Sequence, residues 1–471
     1  MKKILTLVLV ITLCSAIIRG RDAQLNGYAP GGAGKYIEVY SQPDPITGQP
    51  VLIDRIQIPD NENFSSSIDC NNICWLRLRY GVYEFILVVE KGGSYQLKLP
   101  GYIARTKAEK LNPFFEYELT HINVAGNDNI NNRIKYIDSL FFNYTNRITR
   151  SIYLGEPLGG KDSLLKSFAR IEELITGDYS ARYYEYRYCL LKMISEKQTV
   201  PGSDDLALIN RTFLPHMPAY TDLVSQVFNG YLRRLANDSQ TSSLRVCINS
   251  GGPYHEIVRL IQEQEIIRDT SLLEFVMLSN LYNEYYMGGF RKEGVEIFFE
   301  WMSANAMNKY NRHLAGIITE KINRLKPGNI PPGFRLMNPE GKMYTLDSLR
   351  GKFTILAFGA MELPETKSEL DILNNWTGEY KDRLAVVVIL LDDDFKASLE
   401  RLGNDNYDFI FLDGSESTGL VQDYEIKYSP VFYFLNKDLR LIRSPAVLPS
   451  ENLWGSVVLQ LRDGLMDNIR D

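Results

Sequence analysis

Phe353-Thr-Ile-Leu-Ala-Phe-Gly-Ala-Met-Glu-Leu-Pro-Glu-Thr366 decides how the last part of this chain folds. Its first six residues are an apolar run that predicts a buried strand. Pro364 then opens a helix expected to reach about Tyr380, since proline in a first turn lacks only an N–H that has no helical partner. Upstream, Phe334 to Leu346 reads as a hairpin turning at Pro339-Glu-Gly341. Before it lies Lys326-Pro-Gly-Asn-Ile-Pro-Pro-Gly333, whose three prolines and two glycines cannot continue a helix and mark a linker. Downstream, Leu384-Ala-Val-Val-Val-Ile-Leu-Leu391 has the continuous apolar character of a strand buried on both faces. A helix over Phe395–Leu402, a strand over Tyr407–Leu412 and a short helix over Leu420–Tyr424 follow. Val431–Leu435 and Arg440–Arg443 are the last strands, and a helix runs from Glu451 to about Leu465. This alternation predicts an α/β domain over 334–471, a central sheet with helices on both faces.

These residues, in this order, resemble the thioredoxin-like domains of exported TlpA/ResA-type proteins and their peroxiredoxin (AhpC/TSA) relatives. Pro332, Phe334, the turn at Glu340-Gly341, Leu346, Leu349 and Gly351-Lys352 match that family's opening hairpin. Phe358 and Ala360 stand where the family has Phe-Trp-Ala before its redox motif. Pro430, between Tyr424-Glu-Ile-Lys-Tyr-Ser429 and Val431-Phe-Tyr-Phe434, matches the family's cis-proline, and Asn436-Lys-Asp438 is the turn after it.

The departure falls on the chemistry. Where the family carries Trp-Cys-x-x-Cys, this chain has Glu362-Leu-Pro-Glu-Thr366. Leu363 replaces the attacking cysteine and Thr366 the resolving one, with Pro364 and Glu365 between them. Thiol–disulfide exchange needs a thiolate at the helix start and a second thiol to resolve the mixed disulfide. Neither leucine nor threonine supplies one, and no cysteine occurs from 248 to 471. What the resemblance still implies is a groove beside Ser429 and Pro430 that presents backbone groups to an extended peptide, usable without catalysis. Glu365 has a simpler role as an acid in the first helical turn.

The rest of the chain predicts a multidomain α+β protein. Lys2 and Lys3 followed by an apolar run read as a secretory signal within residues 1–23, cut after Ala16 or after Ala23. Lipid attachment at Cys14 is the alternative, disfavoured by Leu13 just before it. Both lead to the periplasm or cell envelope, and no later segment is long and apolar enough to span a bilayer. Residues 24–126 predict a β-sandwich from Lys35–Tyr40, Val51–Ile58, Cys74–Tyr80, Glu84–Val89 and Ser94–Leu99, short runs separated by turn residues. Residues 127–325 predict an α-helical region, with apolar residues at helical spacing in Ile130–Phe141, Leu164–Leu174 and Leu272–Leu281. Tyr183, Tyr184, Tyr186 and Tyr188 form either helix-to-helix packing or a stacking surface for a sugar or peptide.

Cys70-Asn-Asn-Ile-Cys74 is the one close cysteine pair. A straight strand would hold the two about 13 Å apart, whereas an Asn-Asn turn can bring them within bonding range. A structural disulfide, a redox pair and a metal site all start from that turn; a zinc site would need Cys189, Cys247 or one of four scattered histidines to complete it. Gly31-Gly-Ala-Gly-Lys35 fails as a phosphate loop, with Ala29 at the first glycine position and Tyr36 after the lysine. His255-Glu256 lacks the second histidine of a zincin, Asp392-Asp-Asp394 reads as a helix start, and no Gly-x-Ser-x-Gly occurs. The net charge of −6 gives no footprint for nucleic acid. The expectation is a non-catalytic exported protein, without metal or cofactor, whose thioredoxin-like domain binds proteins or peptides. The alternative is a thiol–disulfide oxidoreductase working through Cys70 and Cys74 or with a cysteine-bearing partner.

Overall fold

The computed structural model describes residues 22–106, 109, 115–124, 129–155, 161–196, 201–403, 406–415 and 418–467. Of the expected signal segment 1–23, residues 1–21 with Cys14 lie outside them, and Asp22 and Ala23 begin the first strand. The chain divides into two compact units: residues up to Ala104 together with Tyr117–Thr319, and Arg105–Glu116 together with Glu320–Asp471.

The first unit is mixed α+β. Its strands are β1 (Asp22–Tyr28), β2 (Tyr36–Ser41), β3 (Leu52–Gln57), β4 (Asn63–Asp69), β5 (Ile73–Tyr80), β6 (Tyr83–Glu90), β7 (Ser94–Lys98), β8 (Glu118–His121) and β9 (Asn123–Val124). They form two sheets, ordered β4-β1-β7-β9 and β3-β2-β5-β6-β8. Alternate residues of both sheets, among them Leu25, Ile37, Val39, Phe64, Leu76, Leu78, Leu87, Val89 and Leu97, are buried in one apolar cluster. Ala23, the second residue of β1, is fully buried. Four of these strands, β1, β4 and the short β8 and β9, are additions to those expected from sequence; β1 and β4 are the longer pair. Their outward positions are Gln24, Asn26, Ser65 and Ser67, residues poor in β propensity, and only the inward half of the pattern is apolar.

Helices follow these strands, from Ile130–Leu154 to Lys309–Asn323, the last of which runs past the unit's end at Thr319. The Asn131 side chain binds the backbone of β6 at both groups of one residue, accepting from Val88 N–H at 2.7 Å and donating to Val88 C=O at 2.8 Å. The tyrosine-rich helix Asp178–Glu196 turns its rings inward: Tyr183, Tyr184 and Tyr186 are buried, and Trp75 of β5 stacks on Tyr183 at 5.6 Å. Packing therefore accounts for these three rings, and Tyr188, half-buried, stacks on Phe168 at 6.3 Å and on Tyr184 at 6.0 Å. A buried Arg187 joins Asp138 (3.0 Å), Asp222 (2.7 Å) and the Tyr183 hydroxyl (2.9 Å). Burial opposes its charge, but Tyr183, Asp138 and Asp222 outweigh that and hold the guanidinium protonated.

The second unit is built on a five-stranded sheet ordered β14-β13-β12-β15-β16. Here β12 is Phe353–Gly359, β13 Leu384–Leu390, β14 Ile410–Asp413, β15 Val431–Leu435 and β16 Leu441–Ala446. β12, β13 and β14 run parallel, and β15 runs antiparallel to both β12 and β16. The small hairpin of β10 (Arg335–Met337) and β11 (Met343–Thr345) turns through Gly341 at φ +76°. Two apolar clusters lie on the sheet's two faces: Leu356, Phe358, Val387 and Ile389 enter one, Ile355, Ala357, Val386 and Val388 the other. Both faces are thus buried, as a parallel sheet requires. The proline-rich stretch 326–333 is bonded to this sheet, Gly328 N–H donating to Leu441 C=O at 2.7 Å and Leu441 N–H to Asn329 C=O at 2.9 Å.

Candidate functional site

The site is the end of β12 where the chain passes into the Pro364–Thr377 helix, together with the loop before β15. Two side chains from outside the helix fix that passage through three hydrogen bonds. The Ser429 hydroxyl accepts from Ala360 N–H at 3.0 Å, and the carboxylate of Asp392 accepts from Met361 N–H at 2.8 Å and Glu362 N–H at 3.1 Å. Asp392 is only 2% exposed, and Arg401 lies 3.8 Å away. Arg401 also lies 3.6 Å from Glu362, closing the group.

Leu363 caps the helix with extended backbone and no capping side chain, and its isobutyl group is 37% exposed. Pro364 and Glu365 are exposed beside it. Thr366 points the other way and is buried, its hydroxyl 3.5 Å from that of Ser429. Its methyl lies against Gly359, where an added Cβ would come within 2.5 Å. The Ser429–Pro430 peptide is cis, Pro430 is buried, and Tyr428 just before it is exposed. Behind this loop Tyr424 packs on Phe358 at 4.6 Å and donates to Pro332 C=O at 2.5 Å, tying the loop to the start of the unit. Burial first, then Tyr433, hold the Tyr424 phenol well above its ordinary pKa, so it stays a donor.

All six positions singled out at this end of the sheet, Leu363 to Thr366 with Ser429 and Pro430, thus fall around one short turn. The two cysteine positions thus carry an exposed leucine and a buried threonine, and no thiol stands at this turn. Asp392 is the residue sequence reasoning missed. The run Asp392-Asp-Asp394 does start a helix, but only Asp394 caps it, accepting from Ala397 N–H at 3.0 Å, while Asp392 turns inward.

Cys70 and Cys74, candidates for a disulfide, are both free thiols, Cys70 buried and Cys74 partly exposed. Among the described residues no group of three or more His, Cys, Asp or Glu is arranged to hold a metal ion. No described helix is long and apolar enough to cross a membrane.

No family model matches the chain. The thioredoxin-like protein YneN of Bacillus subtilis (strain 168) is 27% identical over 114 residues, which cover 24% of this chain and 67% of that protein. The solved thioredoxin domain of a thiol-disulfide oxidoreductase from Bacteroides vulgatus shares 16% identity at a TM-score of 0.26, covering 28% of this chain and 96% of that one. A domain of a possible thiol-disulfide isomerase from Cytophaga hutchinsonii shares 21% at a TM-score of 0.25, covering 30% of this chain and 97% of that one. With its strand order, its hairpin and its cis-proline loop, the C-terminal unit of this chain has a thioredoxin-like fold.

Proposed function

We propose that this chain is an exported cell-envelope protein whose thioredoxin-like unit is non-catalytic and binds an extended segment of another protein. The observation that carries this is the pairing of an intact cis-proline loop with the loss of both cysteines. The cis-proline loop, the helix start and their hydrogen bonds are in place, while Leu363 and Thr366 stand at the two cysteine positions. An extended peptide pairs with backbone groups beside such a loop and gains affinity from apolar side chains at its edge, here Leu363 and Tyr428. The solved proteins named above are thiol-disulfide oxidoreductase or isomerase domains, and that chemistry needs a thiolate this unit lacks. Catalysis at this site is therefore not part of the proposal.

The test is a fluorescence-anisotropy titration of the full chain against a labelled, cysteine-free extended peptide of mixed apolar and polar sequence. Saturable binding that weakens about tenfold or more in Leu363→Asp is expected, because a charge at the apolar edge costs ~1.4 kcal/mol or more. Equal affinity of the two proteins, or no saturable binding, would sink the proposal.

A further inference from the structure

Cys70 directly follows β4, in one sheet of the first unit, and Cys74 is the second residue of β5, in the other. The chain between them crosses from sheet to sheet, and its turn is fixed: Asn72 C=O accepts Lys91 N–H at 2.7 Å. The Cys70 thiol points back across that turn, 3.5 Å from Asn72 C=O and 3.6 Å from Val89 C=O. Val89 is the residue of β6 that faces Cys74 in the β5–β6 register. Both cysteines thus converge on one position of β6. Their access differs: Cys70 is fully buried and Cys74 partly exposed. Burial first, and then the neighbouring Cys74 thiol, push the Cys70 thiol up to about 12. Cys189 is engaged elsewhere, its thiol 3.4 Å from Asp205.

We propose that Cys70 and Cys74 are a thiol–disulfide exchange site, a dithiol that the disulfide of a small molecule or another protein oxidises to an intramolecular bond. Cys74, the accessible partner, loses its proton and attacks one sulfur of the disulfide RS–SR. The S–S bond of RS–SR breaks, one RS⁻ leaves, and Cys74 carries the mixed disulfide. Cys70 then loses its proton and attacks the Cys74 sulfur, forming the Cys70–Cys74 bond and expelling the second RS⁻. The two released thiolates take up the two protons. In sum two thiols and one disulfide become one disulfide and two thiols, the cysteine pair losing two electrons and RS–SR gaining them. Closure is the slow step near neutral pH, because a buried thiol that holds its proton is a poor attacker. The bond would link the end of β4 to β5, at the corner where the two sheets join. None of this involves Leu363, so the site stands or falls apart from the peptide-binding proposal.

The experiment treats the full chain with oxidised glutathione, blocks free thiols with N-ethylmaleimide and maps the cysteines by peptide mass spectrometry. Expected is a peptide bearing both Cys70 and Cys74, unblocked, two hydrogens lighter than the dithiol and restored by dithiothreitol. Cys70→Ala should trap a stable glutathione adduct on Cys74, while Cys74→Ala should leave Cys70 unreacted in a chain that circular dichroism shows to be folded. The unsubstituted chain decides the matter if either variant fails to fold. A glutathione adduct that persists on its Cys74, a bond from either residue to Cys189 or Cys247, or no reaction at all would overturn the proposal.

Discussion

At the start of the Pro364–Thr377 helix the N–H groups of Met361 and Glu362 point at one buried carboxylate, that of Asp392. Neither donor reaches a helical partner, and burial keeps water from replacing the lost acceptor. Asp392→Ala should therefore lower stability by about 2 kcal/mol, seen as a reduced urea midpoint, while Asp392→Asn, which keeps one acceptor oxygen, should cost less. Equal midpoints for the alanine variant and the parent would show that the carboxylate does not hold this turn. The sequence shows three consecutive aspartates and gives capping chemistry to all of them. Which one turns inward depends on where β13 ends against β12, a tertiary fact that spacing along the chain does not encode. Leu363 and Thr366 were legible because they stand at positions a whole ordered pattern defines. That Thr366 is buried and Leu363 exposed was not, since it follows from the helix's rotation on the sheet.

Elements of the C-terminal unit were readable in proportion to how apolar they are. All seven residues of β12 are buried, and β13 is nearly as enclosed, so each appears in sequence as a continuous apolar run. β1 and β4 did not appear, because half of each strand is Asn, Ser or Gln facing outward. The contact between β12 and the following helix is set by Gly359, where a Cβ would come within 2.5 Å of the Thr366 methyl. Gly359→Ala should thus cost about 1–3 kcal/mol by overpacking. Thr366→Ala removes the obstructing methyl, and the double variant should be more stable than the sum of the single losses predicts, with a coupling of about 1 kcal/mol or more. Strict additivity in a denaturant double-mutant cycle would mean that the two positions do not touch.

Across the whole molecule, tyrosine serves as a core residue more than as a surface one. Burial pushes Tyr179 of the first unit up to about 12 from the ordinary 10.0, and likewise Tyr186 and Tyr231. These groups keep their protons in the folded chain and lose them near pH 10 when unfolded. The folded state then binds more protons above about pH 10, so its stability is fully present below that value and falls as pH rises toward about 12. Each retained proton contributes a slope of about 1.4 kcal/mol per pH unit. Guanidinium midpoints should therefore drop steeply through that window, with a further step of tyrosinate absorbance at unfolding beyond that of the exposed tyrosines; an unchanged midpoint through the window would contradict the packing described. Helical spacing announced this region as helical, but tyrosines interior to one helix look the same in sequence as tyrosines on a binding face, and only the neighbouring elements, Trp75 of β5 among them, decide. The proposed peptide binding rests on the helix start and the cis-proline loop, and amide hydrogen exchange of the full chain with and without a saturating extended peptide examines it most directly. The account predicts slowed exchange confined to the helix start around Leu363 and to the loop around Tyr428 and Ser429, and lost in Leu363→Asp. Protection elsewhere with none at these two segments would contradict it.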